Sequence, residues 1–224
     1  MTGRFYRKPI SWADYGTEIN LTAPPGIDPP EAHYNTAPGM LAPVIIPARA
    51  AGEFEMSAMM WGLVPSWWHK PLAEKQFQSF NTPAETAHFK PVYRGAFRHH
   101  RCLIPVSGFY VWTGRRDAKT PFAASLRMRD WFCIAGLWDI AMIDGSEFDS
   151  FTVLTTHPND VMAGITTRMP VILKPEDYER WLDPMSGKVD DLFEPWPADD
   201  MEAWPVGAAV GNVRNNYSEL IETC

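Results

Sequence analysis

The sequence predicts an α+β protein in which strands outnumber helices, and three observations lead to this class. Short apolar runs rich in β-branched and aromatic residues recur along the chain, as they do in strands. Proline, which occurs 21 times, stands repeatedly where these runs end and therefore separates short strands and turns. Helical patterns are fewer, so we expect helices to be the minor component of the fold.

Seven apolar runs are predicted to be strands. They are residues 43–47, 56–62, 102–106, 109–112, 121–128, 131–138 and 151–156. The pairs Thr113-Gly114 and Asp144-Gly145 lie between neighbouring runs, and a glycine in the second place of such a pair favours a hairpin turn. We therefore expect hairpins at both places.

One segment, residues 174–182, is predicted to be a helix. Pro175 falls in its first turn, where a backbone N–H has no helical partner, and acidic residues follow near the positive end of the helix. Tyr178 and Trp181 are three residues apart, so both lie on one face of the helix. This face is expected to pack on the core.

Length and composition predict one domain, residues 1–224, because a chain of this size with 46% hydrophobic residues can bury one sizeable core. The first thirty residues contain no charged leader followed by an apolar run, and no stretch approaches the roughly 18 apolar residues of a membrane-spanning helix. We therefore expect a soluble, cytoplasmic protein without a membrane partner. The sequence does not determine its oligomeric state. Cys102, Cys133 and Cys224 are far apart and odd in number, which favours reduced thiols.

Common catalytic motifs are missing from the sequence. It has no Walker loop, no dinucleotide-binding glycine pattern, no H-E-x-x-H and no paired C-x-x-C, so we expect neither a metal nor a cofactor. His99 and His100 are adjacent and would face opposite ways in a strand, which favours ordinary surface histidines. Cys102 precedes an apolar run and is interpreted as a buried, unreactive thiol.

Two stretches carry residues suited to nucleic acid. The net charge of −7 argues against a protein that coats nucleic acid nonspecifically, but a local basic groove is compatible with it. Trp67 and Trp68 follow a Pro-Ser turn, so at least one ring is expected to be partly exposed; the rings either stack on bases or cap the core. Arg94, Arg98 and Arg101 alternate with aromatic residues and glycine, which fits either a wall along a phosphate backbone or a solvated loop.

Eight segments in order resemble the SOS-response-associated peptidase (SRAP) family, whose members shield abasic sites in single-stranded DNA. They are M-T-G-R-F at 1–5, Y-N-T-A-P-G at 34–39, W-G-L-V-P-S-W-W at 61–68, F-N-T-P-A-E-T at 80–86, R-C-L-I-P-V-S-G-F-Y-V-W at 101–112, I-A-G-L-W at 134–138, I-T-T-R-M-P-V-I-L at 165–173 and V-G-N-V-R-N at 210–215. The resemblance implies a single SRAP domain: a barrel-like core of antiparallel strands, peripheral helices, and a positively lined groove ending at the N-terminus. The partner it implies is single-stranded or junction DNA with an abasic site.

The resemblance also implies a reaction at the N-terminus. In that family the chain begins M-C-G-R, the methionine is removed by the chain itself, and the exposed cysteine closes a thiazolidine ring on the aldehyde of an opened abasic sugar. An asparagine in N-A-R-x-E-T, a glutamate in G-F-Y-E-W and a histidine in I-H-D-R-M-P orient the terminus and move protons. Family membership would thus make the chain a crosslinking, lyase-like and self-processing enzyme.

This sequence keeps the frame of these motifs and changes the reacting residues. The cysteine position is Thr2, the glutamate position is Val111 and the histidine position is Thr166. Asn81 is retained, while the arginine of N-A-R-x-E-T is Pro83. Losing the nucleophile, the carboxylate and the imidazole together removes both the thiol that would bind the sugar covalently and the groups that would transfer protons.

The favoured hypothesis is a protein that binds single-stranded DNA at abasic sites without crosslinking to it. By resemblance, Arg4 and Arg168 would contact phosphates near the lesion, and Trp67 and Trp68 would bound the groove. A different class of function is a scaffold or interaction protein that has kept only the fold and has no DNA affinity.

A third hypothesis is residual chemistry at the N-terminus. If Met1 is removed, the Thr2 α-amine, with an ordinary pKa of about 7.7–8.0, is neutral in roughly a tenth or more of molecules at pH 7, enough for a transient Schiff base. No base for strand cleavage is evident in the motifs. His157 lies nine residues before Thr166, and its position in space decides whether it can serve.

Overall fold

The computed structural model describes residues 3–48, 50, 52–115 and 118–224, which fold into two β-sheets with short helices around them. The prediction for Thr2 lies outside the described residues. Within them, the strands are β1 Arg4–Arg7, β2 His33–Thr36, β3 Leu41–Pro47, β4 Phe54–Trp61, β5 Asn81–Pro83, β6 Arg101–Val106, β7 Gly108–Arg115, β8 Ala118–Leu126, β9 Phe132–Ile143, β10 Ser146–Thr156, β11 Met169–Pro170, β12 Ile172–Leu173 and β13 Met201–Pro205. The helices are α1 Trp12–Ile19, α2 Ala84–Ala87, α3 Arg94–His99, α4 Asp160–Ala163 and α5 Tyr178–Leu182.

Five strands of the larger sheet close into a barrel. In hydrogen-bonding order they are β10, β4, β3, β6 and β9, and β9 pairs again with β10 to complete the ring. The pairing of β10 with β4 is parallel, with Ser150 opposite Met60 and Phe151 opposite Trp61, and the other four pairings are antiparallel. The expected α+β fold with a barrel-like core is confirmed, with one parallel seam that the resemblance did not imply.

The second sheet runs in the order β13, β8, β7, β1 and β2 and packs on the barrel. One buried apolar cluster contains side chains of both sheets, including Phe5 and Phe109 from the second sheet and Trp61 and Phe151 from the barrel. The Phe5 and Trp61 ring centres are 4.8 Å apart, and Trp61 is stacked on Phe151 at 6.2 Å. These large rings join the N-terminal strand to the barrel.

The helices cover the other face of the barrel strands. Side chains alternate along a strand, so Val44 and Ile46 enter the cluster between the sheets. Ile45, between them, enters a second cluster that includes Tyr15 of α1 and Trp181 of α5. The helices are thus peripheral, as the resemblance implied.

Most predicted elements are confirmed, and one turn is not. Each predicted strand overlaps an observed one, and segment 174–182 forms a 3-10 turn followed by α5. Asp144 and Gly145 form the β9–β10 turn with the positive φ values, 50° and 81°, that such a hairpin needs. The second expected hairpin is also present, as β7–β8, but its turn does not lie at Thr113-Gly114, because Thr113 pairs with Thr120 inside the hairpin.

The cysteines are free thiols, as expected. Cys102 and Cys133 are buried and Cys224 is exposed. Burial raises the pKa of the Cys102 thiol, so it is held in the unreactive protonated form. Across the described part of the chain, no helix has the length and apolar character needed to cross a membrane.

Candidate functional site

The end of β10 brings together three of the residues that the motifs singled out, Asn81, Thr166 and Arg168. Beyond its pairing with β9 and β4, β10 is flanked by β5 on one edge and β11 on the other. Asn81 lies opposite Val153, and Thr155 lies opposite both Pro83 and Pro170. Asn81 and the loop that leads into β11 are therefore held on two sides of one strand.

Arg168, in that loop, forms a two-pronged ion pair across β10. Its Nη1 and Nη2 atoms donate to Oε1 and Oε2 of Glu85 at 3.0 and 2.7 Å. Nη2 also donates to the Thr155 carbonyl. The guanidinium is thereby fixed in direction.

Glu85 was not singled out by sequence reasoning, although it stands inside the 80–86 motif. It lies in the first turn of α2, directly after β5, where an acidic side chain is favoured. Burial, the largest single effect, would raise the pKa of Glu85, but the hydrogen bonds and charge of Arg168 together with a backbone hydrogen bond outweigh it and hold the pKa below its ordinary value. The exposed His157 ring adds a smaller effect in the same direction, so this histidine belongs to the Glu85–Arg168 side of the site.

The two positions that the resemblance assigns to the family's glutamate and histidine, Val111 and Thr166, are both buried in the fold. Val111 lies on β7 opposite Phe122, has no exposed surface, and belongs to the apolar cluster between the sheets. Thr166 is 8% exposed, and its hydroxyl donates to the Arg168 carbonyl at 3.1 Å. Asn81 is half-buried on β5.

Arg4 lies on β1, which pairs with β7 through Arg4 and Tyr110. Its guanidinium donates to Asn35 Oδ1 at 2.8 Å, and to the carbonyls of Val210 and Gly211. The Asn35 amide donates to three carbonyls of the same 210–215 loop. These contacts tie β1 to the loop, and the phosphate contact implied for Arg4 stays a prediction.

The two adjacent tryptophans, Trp67 and Trp68, differ in their exposure to solvent. Trp67 is 52% exposed, which confirms the expectation that at least one ring is partly exposed. Trp68 is half-buried, lies edge-on to Phe77 at 5.5 Å, and donates from Nε1 to the Lys70 carbonyl at 2.7 Å. Trp67 is therefore the ring available to a ligand, and Trp68 supports the loop.

The three arginines of the basic stretch also differ in their exposure to solvent. Arg94 and Arg98 are exposed on α3. Arg101 is 4% exposed, lies over the rings of Phe97 and Trp181, and donates to the Phe97 carbonyl. The proposed inclusion of Arg101 in a phosphate-contacting wall is wrong, because it begins β6 and turns into the core.

The two adjacent histidines do not lie in a strand. His99 ends α3 and is exposed, and His100 follows it as the cap, with Nδ1 3.4 Å from Asp139 Oδ1. Among the residues that the structure describes, no group of three or more His, Cys, Asp or Glu side chains could hold a metal ion.

Comparison with known proteins identifies the family. Residues 1–213 match the family described as SOS response associated peptidase (SRAP). The chain is 37% identical over 199 residues to the abasic site processing protein YoqW of Bacillus subtilis, covering 85% of each chain. It is 30% identical over 219 residues to the abasic site processing protein HMCES of Xenopus tropicalis, covering 84% of this chain and 65% of that protein.

Solved structures show the same fold. A protein from Bacteroides thetaiotaomicron superposes with a TM-score of 0.80 at 20% identity, covering 98% of this chain and 99% of the other. A protein from Bordetella bronchiseptica superposes with a TM-score of 0.75 at 26% identity, covering 91% and 99%. With its family match over most of its length, its relatives above 30% identity and its fold, this chain belongs to the SRAP family.

Proposed function

We propose that this chain binds single-stranded DNA at abasic sites and does not form the lasting covalent crosslink of its family. The substrate class is suggested by its relatives, which are named abasic site processing proteins. Arg168 and Arg4, at the start of β1, are the proposed phosphate contacts near the lesion. Asn81 lies on the opposite side of β10 from the Arg168 loop. Trp67 offers an exposed ring to a base.

The main observation in support of the proposed loss of crosslinking is the environment of Val111. General acid–base catalysis needs a group that exchanges a proton near neutral pH within reach of the sugar. Val111 has no such group and is closed into an apolar cluster, and the Thr166 hydroxyl is hydrogen-bonded to the Arg168 carbonyl. With Thr2 in the nucleophile position, neither a thiol nor a proton-transfer pair remains at the family's positions.

The decisive experiment is a denaturing gel of the protein with single-stranded DNA carrying one abasic site, run with and without borohydride. The intact mass of the same sample shows whether Met1 is present. We expect no shifted band without borohydride. A band only with borohydride, on protein lacking Met1, indicates a Schiff base through the Thr2 amine, and a band without borohydride contradicts the proposal.

The variant Thr2→Cys is the matched control for the gel. It restores an amine and a thiol on adjacent carbons once Met1 is removed, so a band without borohydride from this variant places the loss at Thr2 alone, whereas no band means that Val111 and Thr166 contribute to the loss. Binding is measured separately by fluorescence anisotropy of labelled single-stranded DNA with and without the abasic site. Absence of salt-sensitive binding contradicts the proposal and leaves the scaffold hypothesis.

A further inference from the structure

A cleft beside the exposed Trp67 is lined by two arginines of α3 that the proposed function does not use. It has a volume of about 330 Å³ and lies between the turn that carries Trp67 and the helix α3. This volume is at the small end of the range for ligand sites, about 300–1,000 Å³. The side chains that matter for its chemistry are Trp67, Arg94, Arg98 and Asp139.

The two arginines give the cleft a positive wall. Arg94 and Arg98 are four residues apart on α3, so both side chains leave the same face of the helix. Both are exposed, and among the described residues neither forms an ion pair with an acidic side chain. Other arginines of the chain, such as Arg168 and Arg180, are paired with carboxylates. The α3 pair therefore keeps its charge available to an anion.

Asp139 fixes both walls of the cleft to each other. Its side chain is 6% exposed, and Oδ2 accepts the Ser66 N–H at 2.8 Å, which holds the turn just before Trp67. Oδ1 accepts the Ile140 N–H at 3.0 Å and lies 3.4 Å from Nδ1 of His100, the residue that caps α3. One buried carboxylate thus anchors the tryptophan turn and the end of the arginine helix.

His100 is held in turn by the barrel. Its ring lies 4.6 Å from the ring of Trp138, and its carbonyl accepts the Trp138 N–H at 2.9 Å. The carboxylate of Asp139 is already engaged by these partners, so it is a support within the cleft and is not directed at an anion. An exposed indole and two unpaired guanidinium groups are consequently presented on a rigid frame.

We propose that this cleft is a nucleotide subsite, in which Trp67 stacks on a base and Arg94 and Arg98 contact the phosphates on either side of it. An aromatic face beside cationic groups is the combination that binds single-stranded nucleic acid without reading its sequence. The proposal rests on the proposed DNA binding and adds contacts from α3, in a cleft that shares no lining residue with the end of β10. It predicts that oligonucleotides long enough to occupy both places bind more tightly than shorter ones.

The first test measures the affinity of cleft variants for single-stranded DNA by anisotropy at several salt concentrations. Trp67→Ala is expected to weaken binding about fivefold to a hundredfold, the usual effect of losing one stacked base, while Trp67→Phe retains most of the affinity. The double variant Arg94→Ala/Arg98→Ala is expected to lower the slope of log affinity against log salt by about 1.4, because each phosphate contact contributes about 0.7.

The matched control for the charge change is Arg127→Ala/Arg180→Ala. Arg127 is exposed and Arg180 is partly exposed, both lie outside the cleft, and their removal changes the net charge by the same amount. If the cleft variants match this control while wild-type protein binds DNA, the subsite is wrong and the proposed function stands. Thermal unfolding of every variant verifies that the substituted surface chains leave the fold intact.

A second test addresses the cleft without DNA. Thymidine 3′,5′-bisphosphate is titrated into protein labelled with ¹⁵N at its tryptophan indoles, and the Trp67 signal is assigned by its absence in Trp67→Phe. A shift of this signal that disappears in Arg94→Ala/Arg98→Ala supports the subsite, and no shift in wild-type protein overturns it. If wild-type protein fails to bind DNA, the proposed function falls and this titration alone decides the subsite.

Discussion

At the scale of single residues, the pairing of Arg168 with Glu85 controls how much positive charge the site presents. The Arg168 and Glu85 side chains are 22% and 45% exposed, so solvent screens their attraction and the pair contributes little to stability. Its larger effect is local, because a carboxylate bound to both prongs of the guanidinium competes with any phosphate for the same donors. Glu85 is therefore expected to oppose the proposed DNA binding while it orients Arg168.

Replacing Glu85 with glutamine is expected to strengthen binding to single-stranded DNA by about fivefold at low salt, the order of one surface ion pair. The change removes a negative charge and one of the two side-chain acceptors of Arg168, and leaves its hydrogen bond to the Thr155 carbonyl in place. Anisotropy titrations measure the effect. Glu202→Gln is the control, since Glu202 pairs with Arg127 elsewhere on the surface; equal affinities of the two variants would show that Glu85 does not restrain Arg168.

Val111 is a second single-residue case, because its burial decides whether the family's carboxylate can be restored. We expect Val111→Glu to lower the free energy of unfolding by about 3–5 kcal/mol, the usual effect of an uncompensated charge in an apolar interior. Denaturant unfolding measures this loss. The same change at the 40% exposed Val213 is the control, and an equal, small effect at both positions would mean that the cluster accommodates a carboxylate.

At the scale of elements, the tryptophan turn and α3 depend on one ionised group. Burial would raise the pKa of Asp139, but hydrogen bonds from His100 and from the N–H groups of Ser66 and Ile140 outweigh it, and the pKa lies below its ordinary value. A group with a lowered folded-state pKa stabilises the fold above its unfolded value, about 3.9, and this stabilisation is lost as pH falls through the folded value. The cleft is therefore expected to persist through mildly acidic conditions.

The Trp67 indole signal of wild-type protein is expected to stay constant from pH 7 to about pH 4.5 and to change only below about pH 3.9. Asp139→Asn removes the charge at every pH, so its Trp67 signal should already differ at pH 7 and lack this transition. Indole NMR spectra of both proteins over this range make the measurement. A wild-type transition near pH 6 would assign the control of the turn to a histidine instead.

Elements also show what can be predicted from a sequence of this kind. The strands were predictable because an apolar, β-branched run such as 102–106 has few alternatives, and the Asp144-Gly145 turn because its positive φ values favour these residues. The Thr113-Gly114 turn failed because strand pairing with β8 overrode a local preference. The helix α1 was missed because its start signal, Ser11 with Asp14, precedes only eight helical residues.

The site was only partly predictable for a related reason. The motifs identified Arg168 and Trp67, but the partners Glu85 and Asp139 come from segments 83 and 72 residues away in the chain, and no local pattern reports such distances. For Arg101, the local sequence suggested a contact that the fold does not provide. Its basic, aromatic neighbourhood suggested an exposed wall, whereas the strand it begins turns it under Trp181.

At the scale of the whole molecule, a net charge of −7 limits the proposed DNA binding to a few local contacts. With four proposed phosphate contacts, from Arg4, Arg94, Arg98 and Arg168, the affinity for single-stranded DNA should fall about 50-fold between 50 and 200 mM salt. Anisotropy at four or more salt concentrations provides the slope. A fall of a thousandfold would contradict this picture, because it requires an extended basic surface.

The strand β10 has a consequence for how this protein can change over time. It closes the barrel through β9 and β4, and the same strand holds β5 and β11, with Asn81 and the Arg168 loop, at its end. A substitution that displaced these flanking segments would also open the barrel, whereas one that only removes a reacting group leaves the barrel closed. The shape of the site is therefore inherited with the barrel, and the reaction can be lost from it one side chain at a time.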